Sequence, residues 1–185
     1  MLPTLLIPND IEQFSIGEKF IKIPKCILTF RRWSGDPVKE SFGGKALIDV
    51  DGKPMFAELA IANLFKRSGW QARWIETYGK NKKNPMFLSK WEDEKYRHQT
   101  ATPIKDNFVL KCLSEIASAN GDSYSGCWDV VGWKDAYIIF AESKRAKRDS
   151  IRQTQTDWLV AGLNYGLTPD NFVVVQWTFE NEKII

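Results

Sequence analysis

The first chemical signal in this chain is an apolar strand that ends in charge. Residues 136–143 read as a strand apolar on both faces, Tyr137, Ile139 and Ala141 against Ile138 and Phe140. Side chains alternate along a strand, so Glu142 and Lys144 continue the row of Ile138 and Phe140. Core packing calls for neither. A charge buried without a partner is costly, so both belong at a sheet end, beside water, a metal or each other. Asp129 joins them if the preceding strand, Trp128–Lys134, turns at Asp135-Ala136. Asp129 then faces Glu142, and directly opposed side chains lie ~5 Å apart. A turn at Gly132–Lys134 instead places Asp129 opposite Ile138 and leaves Glu142 ~13 Å further along the strand. The uninterrupted polar corner favours the first register. Two carboxylates at one strand end are hard oxygen ligands suited to Mg²⁺ or Mn²⁺. A lysine beside them can hold an attacking water or neutralise charge on a phosphorane, so metal and lysine together suit phosphodiester hydrolysis. The competing reading is a structural ion pair at a sheet end.

Further candidates lie on the helices that must hold this corner. Asp149 or Ser150 caps a helix running to about Asn164 and ended by Gly166. Its Ile151, Gln155, Trp158, Leu159 and Gly162 form one stripe facing the sheet. A glutamine in that stripe is out of pattern and needs a partner, either the site or a satisfied semi-buried amide. Gln153 points elsewhere. An earlier helix starts at Pro54, keeps its apolar period over Met55–Arg67 and stops at Gly69. Its Glu58 shares a stripe with Ile61, Ala62 and Phe65, although a first-turn glutamate also suits the helix dipole.

The remaining elements give the frame. Residues 1–52 read as short strands and turns: Phe20–Ile23, Cys26–Arg31, a turn at Ser34-Gly35-Asp36-Pro37, and Ala46–Val50 closed by Asp51-Gly52. Trp70–Glu76 is a strand with Trp70, Ala72, Trp74 and Glu76 on one face. Residues 79–107 are polar, basic and aromatic, too long for a plain connection, and read as an insertion or mobile flap. Phe108–Ala119 is a helix and Phe172–Trp177 a final strand. The order helix–strand–insert–strand–strand–helix–strand predicts an α/β (α+β) fold, a mixed sheet covered by helices. The chain reads as one domain over 1–185, with a core at 53–177 and an N-terminal extension at 1–52.

Composition narrows the chemistry. The 185 residues include one histidine, His98, which sits in a solvated-looking segment. Paired-histidine zinc and acid–base chemistry are therefore excluded, and a histidine triad has only this residue to draw on. Three cysteines without a C-x-x-C pair read as free buried thiols in a reducing cytoplasm. No apolar run approaches the ~18 residues of a membrane span, and the N-terminus lacks the basic start of a signal peptide. A chain of this length buries about 70% of its surface, enough for one core.

The net charge of +3 hides a clustered distribution. Residues 66–105 carry ten basic and four acidic groups, and residues 142–152 carry five and two. Such blocks are the footprint of a phosphate-backbone partner, or else of a solvated loop and helix start. In the first block Trp91 and Tyr96 are interleaved with Lys82, Lys83, Lys90, Lys95 and Arg97, as for stacking on unpaired bases or as two packed rings.

Asp129, twelve residues, then Glu142-Ser143-Lys144 resembles the PD-(D/E)XK nuclease signature. Gln155-Thr156-Asp157-Trp158-Leu159 on the next helix, Gly166 and the strand Phe172–Trp177 resemble the VRR-NUC branch in particular. The resemblance covers residues 120–177 and extends loosely to Glu58. Trp128 stands where the name's proline would be, and residues 1–52 and 79–107 have no counterpart in the minimal domain. The resemblance implies a restriction-endonuclease-like core and a Mg²⁺- or Mn²⁺-dependent nuclease acting on DNA rather than RNA. Asp129, Glu142 and the Ser143 backbone carbonyl would bind the metal, Lys144 would orient water, and Gln155 and Glu58 would support them. Arg145, Lys147, Arg148 and Arg152, with Lys82 and Lys83, would hold the nucleic acid. Many proteins of this class act as dimers, so a homodimer is compatible, although no seam is legible. The alternative function is an inactive nucleic-acid-binding or assembly module with the same fold.

Overall fold

A computed structural model describes residues 2–182 and arranges them as a mixed nine-stranded sheet covered by three helices. In chain order the elements are β1 (Asp10–Ile16), β2 (Lys19–Arg32), β3 (Ile48–Val50), β4 (Lys53–Met55), α1 (Ala57–Arg67), β5 (Gln71–Glu76), β6 (Met86–Leu88), α2 (Asn107–Ala119), β7 (Val130–Lys134), β8 (Tyr137–Arg145), α3 (Gln153–Tyr165) and β9 (Phe172–Phe179). The sheet runs β4-β3-β2-β9-β8-β7-β5-β6, with β1 pairing β2 beside this path. β9 lies parallel to β8 and β2, and the other pairs are antiparallel.

Strand periodicity builds the two faces. Ile139 and Ala141 of β8 pack with Val173, Val175 and Val130 against Ile61, Ala62 and Phe65 of α1. The alternate residues Ile138 and Phe140 pack with Phe172, Val174 and Val131 against Val109, Leu113 and Ile116 of α2 and Trp158 and Leu159 of α3. β8 is thus covered on both faces, as its doubly apolar sequence implies. Gly132 lets α1 come close, because a Cβ there would lie 2.2 Å from the Phe65 ring.

Several expectations change. The 79–107 segment is ordered: Gly79–Lys82 forms a 3₁₀ turn, Met86–Leu88 pairs with β5 as the sheet edge, and Gln99 bonds the backbone of Glu92 and Glu94. Trp91 packs edge-on to Phe56, with centroids 4.9 Å apart, and lies within 6.4 Å of Tyr96, so both are packed rings. Residues 1–52 contribute β2, paired with β9 inside the sheet. β2 runs unbroken through Pro24 because that residue lies where the partner changes from β1 to β9, and the missing N–H costs no ladder bond. α3 begins at Gln153 after Arg152, not after Asp149 or Ser150. Asp149 instead accepts the Arg145 N–H at 2.9 Å, closing the end of β8.

Candidate functional site

The β7–β8 hairpin adopts the register that joins the acidic residues. Val130 pairs with Ala141 and Lys134 with Tyr137, with Asp135 in the left-handed region at φ 53°. Continued one step, the ladder sets Asp129 opposite Glu142. The backbone opens there: Asp129 Oδ2 accepts the Ser143 N–H at 3.0 Å. A strand residue presents N–H and C=O at the same edge, so the Ser143 carbonyl faces Asp129 as well. The Ser143 hydroxyl lies on the other face and accepts from Trp177 Nε1 at 3.0 Å.

α3 supplies the third side of the corner. Gln155 donates through Nε2 to Glu142 Oε1 at 2.5 Å and accepts from Lys144 Nζ at 2.9 Å through Oε1. Lys144 Nζ also lies 3.1 Å from Glu142 Oε1. The same Gln155 oxygen accepts the Arg152 N–H at 2.9 Å, which fixes the amide to the first turn of its own helix. Gly126 allows the loop before β7 to approach that turn, since a Cβ there would lie 1.9 Å from the Thr154 carbonyl oxygen. Glu142 is 1% and Lys144 8% exposed, so neither is a solvated surface charge.

Beyond this corner lies a second charged group. Glu58, buried in the first turn of α1, accepts from Lys45 Nζ at 2.5 Å. Glu76, buried at the end of β5, accepts the Tyr78 N–H at 2.5 Å. One cleft of about 940 Å³ is lined by all of these groups together with Lys82, Arg148 and Arg152.

Five carboxylates line this cleft, Glu58, Glu76, Asp129, Glu142 and Asp149, and of its cations Lys45 bonds Glu58 and Lys144 pairs with Glu142. Burial, then the neighbouring Glu58 charge, push Asp129 up to about 6, against the pull of Lys45, the Ser143 N–H and Lys144. Burial and then Asp129 raise Glu142 well above the ordinary carboxylate range, and Lys144 only partly offsets them. Burial raises Glu76 too. The donor set is all hard oxygen, its carboxylates raised by burial and by one another, which fits a divalent cation of the Mg²⁺ or Mn²⁺ kind. Among the described residues no three His, Cys, Asp or Glu side chains converge to hold a metal alone. Asp129, Glu142 and the Ser143 carbonyl would therefore share such an ion with water.

The basic residues divide. Arg148 and Arg152 at the mouth of α3 and Lys82 across from them line the cleft. Lys147 and Lys83 are exposed outside its lining. Arg145 turns away: it pairs with Glu182 at 2.8 Å and lies 4.8 Å over the Phe179 ring, a packed ion pair at the far side of β8. His98 sits on a surface 3₁₀ turn. The cysteines are free and buried, burial pushing Cys26 up to about 11 and Cys112 to about 12.

Lys45 and Glu76 are functional candidates that sequence reasoning missed. Glu76 carries the same signal as Glu142, a carboxylate ending a strand face otherwise apolar. Lys45, in a loop after two glycines, carries none. No helix among the described residues is long and apolar enough to cross a membrane. No protein-family model, curated protein or solved structure matches this chain.

Proposed function

We propose that this chain is a divalent-metal-dependent nuclease that hydrolyses phosphodiester bonds of DNA, with a restriction-endonuclease-like core of the PD-(D/E)XK kind. One observation carries the reading: Asp129, Glu142, Lys144 and Gln155 meet at a single sheet end, and burial, then neighbouring carboxylates, raise its two acids. The order α1–β5–β7–β8–α3–β9, three antiparallel strands and a fourth parallel one, supports that core, with β6 and α2 inserted after β5.

Asp129, Glu142 and the Ser143 carbonyl would hold the Mg²⁺ or Mn²⁺. When bound, such an ion lowers the pKa of a coordinated water and stabilises charge developing on the phosphate. Lys144, steered by Gln155 and Glu142, presents an ammonium to the attacking water or to the phosphoryl oxygens. Gln155 holds Lys144 and Glu142 in one plane of contacts, so its role is to position them. Glu58 adds negative charge beside Asp129. Arg148, Arg152 and Lys82 line the cleft mouth, where phosphates flanking the scissile bond would lie.

The test is cleavage of linear, flapped and branched DNAs, with RNA counterparts, at millimolar Mg²⁺ or Mn²⁺. Metal-dependent cutting that is lost in Asp129→Ala and Lys144→Ala, with the fold retained by circular dichroism, is expected. An uncut panel would overturn the enzymatic reading. Salt-sensitive binding without metal dependence would then favour a binding module.

A further inference from the structure

Among the cations lining the cleft, Lys45 is the one bonded to Glu58. Its ammonium bonds Glu58 at 2.5 Å and stands 5.1 Å from the Trp74 ring centroid and 5.2 Å from that of Phe42. Burial alone would lower its pKa, but the charges of Glu58 and Asp129, then Glu76, keep it raised, so the ammonium is firmly ionised. The loop that carries it is tightly specified. Phe42, Gly43 and Gly44 take φ values of 50°, 76° and 84° in succession, and the Lys45 N–H donates to the Ser41 carbonyl at 2.9 Å. Phe42, a bulky residue in a conformation few L-residues adopt, is held there by Tyr96, stacked at 5.0 Å, and by Trp91 at 5.6 Å.

From this geometry we infer that Lys45 is a built-in cation holding the place of a second divalent ion, so that the site takes one metal and not two. The inference rests on the metal-binding reading above. Glu58 and Glu76 line the same cleft as Asp129, Glu58 raising Asp129 and Asp129 raising Glu76, and two-ion phosphodiesterases hold their second ion about 4 Å from the first. Here the Glu58 oxygen that would ligate it is already engaged by an ammonium. A tethered point charge balances Glu58, Glu76 and Asp129 with no metal to recruit, and it faces the cleft from which a substrate phosphate would arrive. Without Lys45, Glu58, Glu76 and Asp129 would lose the ammonium that bonds Glu58 and acts on all three, and a hard divalent ion is a species that could restore balance.

Mn²⁺ titration by calorimetry, with the bound ions counted by electron paramagnetic resonance, tests this on the whole chain near neutral pH. The unaltered protein is expected to bind one Mn²⁺, Lys45→Met two, and Lys45→Arg one again. A merely structural lysine would give no gain of an ion on its removal. Two ions on the unaltered protein, or one on folded Lys45→Met, overturn the inference while leaving the metal-binding reading intact. No ion on the unaltered protein overturns both. Should Lys45→Met fail to fold, Lys45→Gln, which keeps a polar tip without the charge, decides: a second ion supports the inference, and one ion overturns it.

Discussion

Two hairpins of this protein each gather two carboxylates around one lysine, with opposite results. At β1–β2, Lys25 bonds Asp10 at 2.8 Å and Glu12 at 3.1 Å, with both carboxylates partly open to water. Hydrogen bonding to Lys25 holds Asp10 below its ordinary value, and Lys25 itself is raised despite its own burial. These charges satisfy one another. At β7–β8, Asp129 and Glu142 are both raised even with Lys144 beside Glu142. Burial, the neighbouring charge of Glu58 and the mutual repulsion of Asp129 and Glu142 make the difference, even with Lys45 also acting on Asp129. A screened surface cluster is complete in itself and contributes little to stability. A desolvated cluster short of positive charge is poised for something from outside the chain.

The largest effect should come from breaking the second cluster and sparing the first. Lys144→Ala or Asp129→Ala is expected to cut DNA cleavage by at least ~10³-fold, in line with losing a charge-stabilising group or the metal itself. Lys25→Ala should leave the rate unchanged, and equal losses in steady-state assays would erase the distinction. Gln155→Ala comes next. It bonds both Lys144 and Glu142 and so positions them, and loss of such support typically lowers activity ~10–100-fold. Mn²⁺ affinity measured alongside should fall, because Glu142 loses its amide donor.

Stability should separate the clusters by sign. The folded value of Asp129, about 6, lies above the usual 3.8. Its contribution to the metal-free protein is therefore full below about pH 4 and lost as pH rises through about 6. Asp129→Asn should raise the metal-free Tm at pH 8 by roughly 5 °C, with the gain vanishing near pH 4. Asp10 is lowered, so its contribution is present above about pH 4 and lost as pH falls, and Asp10→Asn should only lower the Tm. Thermal scans at both pH values read this, and a destabilised Asp129→Asn at pH 8 would contradict it.

The smallest effects belong to the cleft mouth. Arg148→Ala or Arg152→Ala should weaken DNA binding a few-fold and flatten its salt dependence by about one unit of slope, as expected for one lost phosphate contact. Arg145→Ala, which removes a packed ion pair with Glu182, should lower the Tm and leave the slope unchanged. Fluorescence anisotropy across a salt series reads both.

The legible parts of this molecule are those fixed by local pattern. The apolar row ending in Glu142 and Lys144 marked the strand and its charged end, and the β7–β8 register followed from keeping Asp129 in that polar corner. Gln155 stood out as one polar residue in an apolar stripe, and its two bonds explain why it is there. What pattern hid was set by long-range contact. Phe20–Ile23 and Cys26–Arg31 read as separate pieces, yet they belong to one strand, with Pro24 at a change of strand partner. Trp91 and Tyr96 read equally as stacking partners for bases or as packed rings, and only Phe42 and Phe56, distant in sequence, decide it by packing them into a ring cluster. Lys45 lies in a glycine-rich loop with no periodicity, and only tertiary packing carries it to Glu58. Arg145 belongs to a basic run by sequence and to Glu182 by geometry, because alternate strand residues face opposite ways.

The central claim, that Asp129 and Glu142 form a divalent-metal site for phosphodiester hydrolysis, is tested most directly by a crystal soaked in millimolar Mn²⁺. The account predicts an anomalous peak bound by the Asp129 and Glu142 carboxylates and the Ser143 carbonyl, with Lys144 and Gln155 beside it and not ligating. A crystal with that corner empty of Mn²⁺, Glu142 still closed on Lys144 and Gln155, would contradict it.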